Sequence, residues 1–248
     1  MSIDFSTLRI LIIDDQLLVR SLISQTLRTL GFKPDAISQA SDGNTTLRVL
    51  EMRMVDLILC DVQMDPINGV DLLKEVRCAR TPNAANLPFV FLSGHPERST
   101  IMLAAQLHAD GFIVKPPTPS DIEKSIESAM RRPRPTIDPF HYLTIVTGSE
   151  YDARNFERPN VPPQSVDLDL LLDRFKASTP LAEVLPNAIL AHDLHATDGR
   201  LLVPRGVKIT QTQLNMLKKC QPQYGVESID IAHLPSDQLI MYQEIYGL

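Results

Sequence analysis

Five polar side chains stand where apolar runs stop. Arg9-Ile10-Leu11-Ile12-Ile13 ends in Asp14-Asp15, Leu57-Ile58-Leu59-Cys60 ends in Asp61, Phe89-Val90-Phe91-Leu92 ends in Ser93, and Phe112-Ile113-Val114 ends in Lys115. Short continuous apolar runs of this kind read as strands buried on both faces. In open α/β sheets, ligands bind beyond the carboxyl ends of such strands. Three acids, a hydroxyl and an ammonium therefore converge on one rim. Neighbouring carboxylates repel unless a cation neutralises them, so Asp14, Asp15 and Asp61 suit a hard divalent ion. Mg²⁺ fits best, because it takes a few carboxylates and completes its shell with water or phosphate oxygens. A carboxylate beside such an ion can accept a phosphoryl group as an aspartyl phosphate. Lys115 would pair with the phosphoryl oxygens as a point charge, and the Ser93 hydroxyl would hydrogen-bond to one. Taken singly, each residue has a plainer reading: a helix cap and a solvated acid, a surface lysine, a turn cap. Jointly, at four strand ends, they read as a site.

The elements that must position these residues follow from periodicity. Strands are expected at 8–13, 35–40 (weak, diluted by polar residues), 56–60, 89–92 and 111–114. Helices are expected at 17–30, with its apolar positions at Leu18, Leu22, Ile23, Thr26, Leu27 and Leu30, and at 44–52, 70–79, 97–107 and 119–131. Asp65-Pro66-Ile67-Asn68-Gly69 reads as loop. Strands alternating with helices predict an α/β fold, a doubly wound five-stranded parallel sheet covered on both faces.

With these residues placed, 5–131 resembles the receiver domain of two-component response regulators, whose sheet is of the flavodoxin-like type. Asp14-Asp15 match the family's acidic pair and Asp61 its phosphoacceptor, followed at family spacing by Met64 and Gly69. Ser93 matches the Ser/Thr position, Lys115-Pro116 the Lys-Pro pair, and Phe112 the switch aromatic. The resemblance implies that Asp15, Asp61 and the backbone carbonyl of Gln63 bind Mg²⁺, with Asp14 close by. It implies a sensor histidine kinase or phosphotransfer protein as the phosphoryl source. It also implies a switch in which Ser93 moves toward the phosphate and Phe112 turns inward. That change would be read on the face of the fourth helix, fifth strand and fifth helix, where two copies would also pair as a homodimer. Asp65 stands where the family often has Pro, with Pro66 one place later, which implies a small loop change. Gln63 and His95 occupy positions that tune dephosphorylation.

Beyond Arg131, prolines recur and residues 132–165 read as a connecting segment, although His141-Tyr142-Leu143-Thr144-Ile145-Val146 has strand-like content and the segment could wrap a domain. Residues 166–248 read as a second, small α+β domain. A helix is expected at 166–176, strands at 188–194 and 200–204 around the Asp198-Gly199 hairpin turn, a helix from a Thr210/Gln213 capping box to Lys219, a strand at 226–231 and a helix at 236–246. Residues 185–220 are similar to the short β-rich region that precedes HD-GYP phosphodiesterase modules. No downstream His/Asp metal cluster or Gly-Tyr-Pro motif follows. His192-Asp193 falls in an expected strand, where neighbours face opposite ways, so the pair reads as structural and a phosphodiesterase output is not expected.

Composition excludes other classes. Residues 1–130 hold 12 Lys and Arg against 16 Asp and Glu, and residues 131–248 hold 12 against 14, so neither half has the basic surplus that phosphate-backbone binding favours. DNA binding is not expected, and no compact basic recognition helix is present. Cys60, Cys78 and Cys220 are odd in number and far apart, which argues for a reducing compartment. There is no apolar run of membrane-spanning length and no secretory signature, so the expected location is cytoplasmic. The expectation is a response regulator that accepts phosphate on Asp61 and signals by contact with an unidentified downstream protein. It would catalyse only its own phosphorylation and dephosphorylation. The alternatives are a DNA-binding transcriptional regulator and a phosphate-relay carrier.

Overall fold

The computed structural model describes residues 3–94, 96–134, 136–156, 166–236, 239, 240, 242 and 243, and the chain divides into two compact units, Met1–Asn155 and Phe156–Leu248. The first unit alternates β1 (Ile10–Ile13), α1 (Leu17–Thr29), β2 (Ile37–Ala40), α2 (Gly43–Met52), β3 (Leu57–Asp61), α3 (Gly69–Arg77), β4 (Phe89–Ser93), α4 (Arg98–Gln106), β5 (Gly111–Val114) and α5 (Pro119–Arg131). The strands pair in parallel in the order β2-β1-β3-β4-β5. This is the expected doubly wound sheet.

β1, β3 and β4 are buried at every position, which is why their sequences run apolar without alternation. Ile10, Ile12, Leu57, Leu59, Val90 and Leu92 meet Ile23 and Leu27 of α1 and Ile122, Ile126 and Ala129 of α5 in one core. The buried stripe of α1 runs through Ile23, Thr26 and Leu27, with Val19 and Leu30 partly buried. Leu18 and Leu22, two of the apolar positions that give the helical spacing, point to solvent at 84% and 46% exposure. They lie one position off the Val19-Ile23-Leu30 row, and a 3.6-residue period carries only one such row to the sheet.

The first unit does not stop at Arg131, the expected boundary. Residues 136–155 form a strap built from α6 (Pro139–Leu143) and α7 (Glu150–Asn155). The strand-like stretch 141–146 is therefore a short helix followed by extended chain, and 132–155 belongs to the first unit instead of linking two units. The strap packs on α3, and all nine residues of α3 are buried, including Asp71, Lys74, Glu75 and Arg77. Each polar group finds a partner. Lys74 forms a buried ion pair with Asp152 and donates to the Ile145 carbonyl at 2.7 Å. Thr147 donates to Asp71 at 2.6 Å and Tyr151 to Glu75 at 2.6 Å. Burial lowers the Arg77 guanidinium to about 10. It donates to the carbonyls of Leu107, Ala85, Leu87 and His108 at 2.7–2.9 Å. Burial raises the carboxyls of Asp71 and Glu75 above their usual range.

The second unit contains α8 (Val166–Arg174), β6 (Lys176–Pro180), β7 (Ile189–Leu190), β8 (Leu194–His195), β9 (Leu201–Val203), α9 (Gln211–Lys219), α10 (Gln221–Tyr224) and β10 (Ser228–Ala232). β10 lies between β6 and β7, all antiparallel, and β8 pairs with β9 across the Asp198-Gly199 turn. The capping box at Thr210 and Gln213 is present in full. The expected strand 188–194 is interrupted, because the chain bends at His192. His192 then faces Asp230 at 3.0 Å and Asp173 at 3.3 Å, while Asp193 accepts from the Arg205 amide at 2.7 Å. The pair serves separate structural contacts. Most of the expected helix 236–246 lies outside the described residues.

Candidate functional site

The sheet delivers the acidic groups by register. Ile13 pairs with Cys60, so Asp14 and Asp61 are the next residues on adjacent strands at the point where strand order reverses. Ser93 pairs with Val114, and the Lys115 amide donates to the Ser93 carbonyl at 2.9 Å. Asp14 is fully buried, Asp61 and Ser93 are nearly so, and Asp15 is exposed. The Lys115 ammonium bridges the acids, 2.6 Å from Asp14 Oδ2 and 2.8 Å from Asp61 Oδ2. Carboxylate oxygens of Asp14, Asp15 and Asp61 lie within 4.8 Å of one another, the one such cluster of acids, histidines or cysteines among the described residues. Burial raises the Asp61 carboxyl against the pull of Lys115. Burial pulls Lys115 down, but its bonds to the two acids outweigh that and leave it raised.

The acids, hydroxyl and ammonium named from sequence gather here. Asp14, Asp15, Asp61, Ser93 and Lys115 share the rim, and the Gln63 amide donates to Asp61 at 3.4 Å. Phe112 is partly buried and stacks on Phe91 with ring centroids 5.2 Å apart. His95 lies outside the described residues. Two contributors were not anticipated. Arg20, one turn into α1, donates to the backbone carbonyls of Asp14 and Asp15 at 2.7 and 3.2 Å and holds the acidic loop. A basic residue five places after a double acid is the signal that could have found it. Thr147, from the strap, lines the same cavity of about 910 Å³ as Asp15, Asp61, Gln63, Ser93 and Lys115. No local spacing points to Thr147.

Gly69 opens α3 directly behind Asp61. A methyl there would lie 2.3 Å from the Asp61 carbonyl oxygen and 3.0 Å from the Phe91 ring. Neither strand backbone nor a fully buried ring moves cheaply. Gly69→Ala is expected to cost about 1–3 kcal/mol by overpacking, read as a lower urea midpoint with an unchanged slope.

Residues 10–127 match the family described as response regulator receiver domain. The chain is 34% identical to the chemotaxis protein CheY of Pseudomonas aeruginosa over 125 residues, which cover 50% of this chain and 98% of the relative. The chain belongs to the response regulator receiver family. The receiver is also 32% identical to chemotaxis protein CheY-3 of Vibrio cholerae, covering 50% of this chain and 93% of that one. A probable transcriptional regulator ycf27 of Guillardia theta is 24% identical over 188 residues, 71% of each chain. Among solved structures, chemotaxis protein CheY4 of Vibrio cholerae aligns with a TM-score of 0.45 at 24% identity, over 49% of this chain and 98% of that chain. The receiver places the protein among the response regulators of two-component systems. Among the described residues, no helix is long and apolar enough to cross a membrane.

Proposed function

We propose that Asp61 of this response regulator accepts a phosphoryl group with Mg²⁺, and that the second unit passes the signal on by protein contact. The observation that carries the reading is Lys115, bridging Asp14 and Asp61 at 2.6 and 2.8 Å on the wall of an open cavity. Three clustered carboxylates against one ammonium leave negative charge uncompensated, and the donor set is all oxygen. Both features fit a small hard cation. Asp15, Asp61 and the Gln63 carbonyl would hold it, with Asp14 beside them. When bound, the ion would neutralise charge on the transferring group.

The protein's own residues do the rest. An Asp61 oxygen forms the new bond to phosphorus as the donor's bond to phosphorus breaks and the leaving group departs in line. Lys115 transfers its bonds from the carboxylates to phosphoryl oxygens, and the Ser93 hydroxyl donates to another. Ser93 and the neighbouring Phe112 relay the change as the switch pair. The donor is a sensor histidine kinase or phosphotransfer protein, and the chain turns over only its own phosphoryl group in the cytoplasm.

Beryllofluoride, an acyl-phosphate mimic, tests this with Mg²⁺ on wild type and Asp61→Asn. Wild type is expected to bind and to change hydrodynamic size, and the variant to do neither. Failure of wild type to bind would overturn the role of Asp61.

A DNA-binding output is the second reading, favoured by the 188-residue span of the Guillardia theta match, which runs past the receiver. Against it, α9 carries only Lys218 and Lys219, at its last turn. The chain is expected to elute from heparin at low salt. Strong retention falling steeply with salt would support DNA binding instead.

A further inference from the structure

The strap touches the phosphoacceptor cavity at Thr147, the one lining residue among the described residues that does not come from residues 15–115. Its hydroxyl donates to Asp71 at 2.6 Å, and Asp71 is fully buried. Asp71 lies in the first turn of α3, where its amide bonds the side chain of the N-cap Asn68 at 2.9 Å. Asn68 lines the cavity too, and the Gly69 amide next to it donates to the Val62 carbonyl, one residue past Asp61. On its other side the Thr147 amide donates to Asp152 at 3.3 Å, and Asp152 is the buried partner of Lys74. Thr147 thus joins two tightly packed groups, the loop carrying Asp61 and the charge pair that fastens the strap. Buried polar networks of this kind respond as units, because an unmade bond inside them is costly.

We propose that Thr147 is a positioning residue of the phosphoacceptor cavity, through which strap docking and the occupancy of Asp61 control each other. The inference rests on Asp61 being the acceptor. Any ligand that moves the 62–70 loop alters the Thr147–Asp71 bond, and by thermodynamic reciprocity the state of that bond alters the ligand's affinity. The strap runs to Asn155, and the second unit begins at the next residue.

The test uses the full chain with Mg²⁺ and beryllofluoride. Affinity is followed by fluorine NMR, and strap docking by amide hydrogen exchange over 145–155. Thr147→Val removes the hydroxyl at nearly constant volume, Thr147→Ser keeps it, and Tyr142→Phe removes a strap bond to His108 that lies away from the cavity. In wild type, the ligand is expected to change exchange over 145–155. Thr147→Val is expected to shift beryllofluoride affinity by about five-fold or more and to abolish the ligand-dependent change in exchange. Thr147→Ser should restore both, and Tyr142→Phe should leave affinity within about two-fold, well short of a typical coupling. If wild type and Thr147→Val bind alike and exchange over the strap ignores the ligand, the proposal fails while Asp61 remains the acceptor. An equal effect from Tyr142→Phe would also overturn it, because general loosening would then explain the result. If wild type binds no beryllofluoride, the acceptor role and this inference fall together.

Discussion

Asp152→Ala is expected to lower the unfolding free energy by about 3–5 kcal/mol, the typical result of removing one partner from a buried ion pair. Lys74 and Asp152 are 0% and 1% exposed at their side chains. Truncation leaves the Lys74 ammonium buried and deprived of the Asp152 carboxylate, with the Ile145 carbonyl still accepting from it. The cost is that of a stranded charge, not the net worth of the pair. The double variant Lys74→Met, Asp152→Leu should accordingly recover most of the loss, since apolar replacement of a buried pair is often neutral. Urea unfolding of the two variants decides the matter. A loss below about 1 kcal/mol for Asp152→Ala, the range of a surface pair, would mean that the strap does not enclose α3 in solution.

Lys115→Ala is expected to destabilise the protein by about 1–3 kcal/mol, because two nearly buried carboxylates lose their common donor, and to make stability depend on Mg²⁺. In wild type, the ammonium occupies the charge that a cation would otherwise neutralise. In the variant, added Mg²⁺ should raise the midpoint further than in wild type, following the mass-action stabilisation of a ligand that binds only the folded state. The pH dependence has a definite sign. Lys115 has a raised pKa, so its contribution is complete below the unfolded-state value of about 10.4 and is lost as pH rises through the folded-state value. Asp61 is raised as well, so the folded state loses stability as pH climbs from the unfolded-state value of about 3.9 through the folded one. Removing Lys115 abolishes the alkaline loss and carries the acid-side decline to higher pH. A variant as stable as wild type and indifferent to Mg²⁺ would show that the lysine does not hold the acids together.

The site was legible because its signals are local. A buried parallel strand must read as an unbroken apolar run, and the residue that ends it stands at the sheet's ligand edge. Asp14, Asp61, Ser93 and Lys115 could therefore be placed together without knowing how any helix packs. Which row of α1 meets the sheet was not legible, because Leu18 and Leu22 are as apolar as Val19 and Ile23 and composition alone does not choose between them. That 132–165 could wrap a domain was legible, but what it covers was not, for a deeper reason. Asp71, Lys74 and Glu75 give α3 the look of a helix with one solvated face, and the residues that cover them lie 71–78 positions away. Prolines at 133 and 139 suggested a linker, whereas Pro139 opens α6 at a first-turn position that proline favours. In the second unit, the hairpin turn and the capping box were legible as fixed short patterns. β6, a mostly exposed edge strand of Lys176–Pro180, carries no apolar alternation to announce it.

The distance along the chain between α3 and its cover also sets an order of events during synthesis. Chains grow at roughly 5–20 residues per second, so on the order of ten seconds pass between the appearance of Asp71 and that of Thr147, 76 positions later. Part-way through that interval, at residue 131, the residues of the sheet and its five helices have all been made, while those that cover Asp71, Lys74 and Glu75 have not. A nascent chain at residue 131 thus holds every acidic and basic group of the phosphoacceptor rim and lacks one wall of its cavity. In chain order, the last residues to join this unit are therefore those that enclose a set of charges, among them the Asp152 that pairs with Lys74.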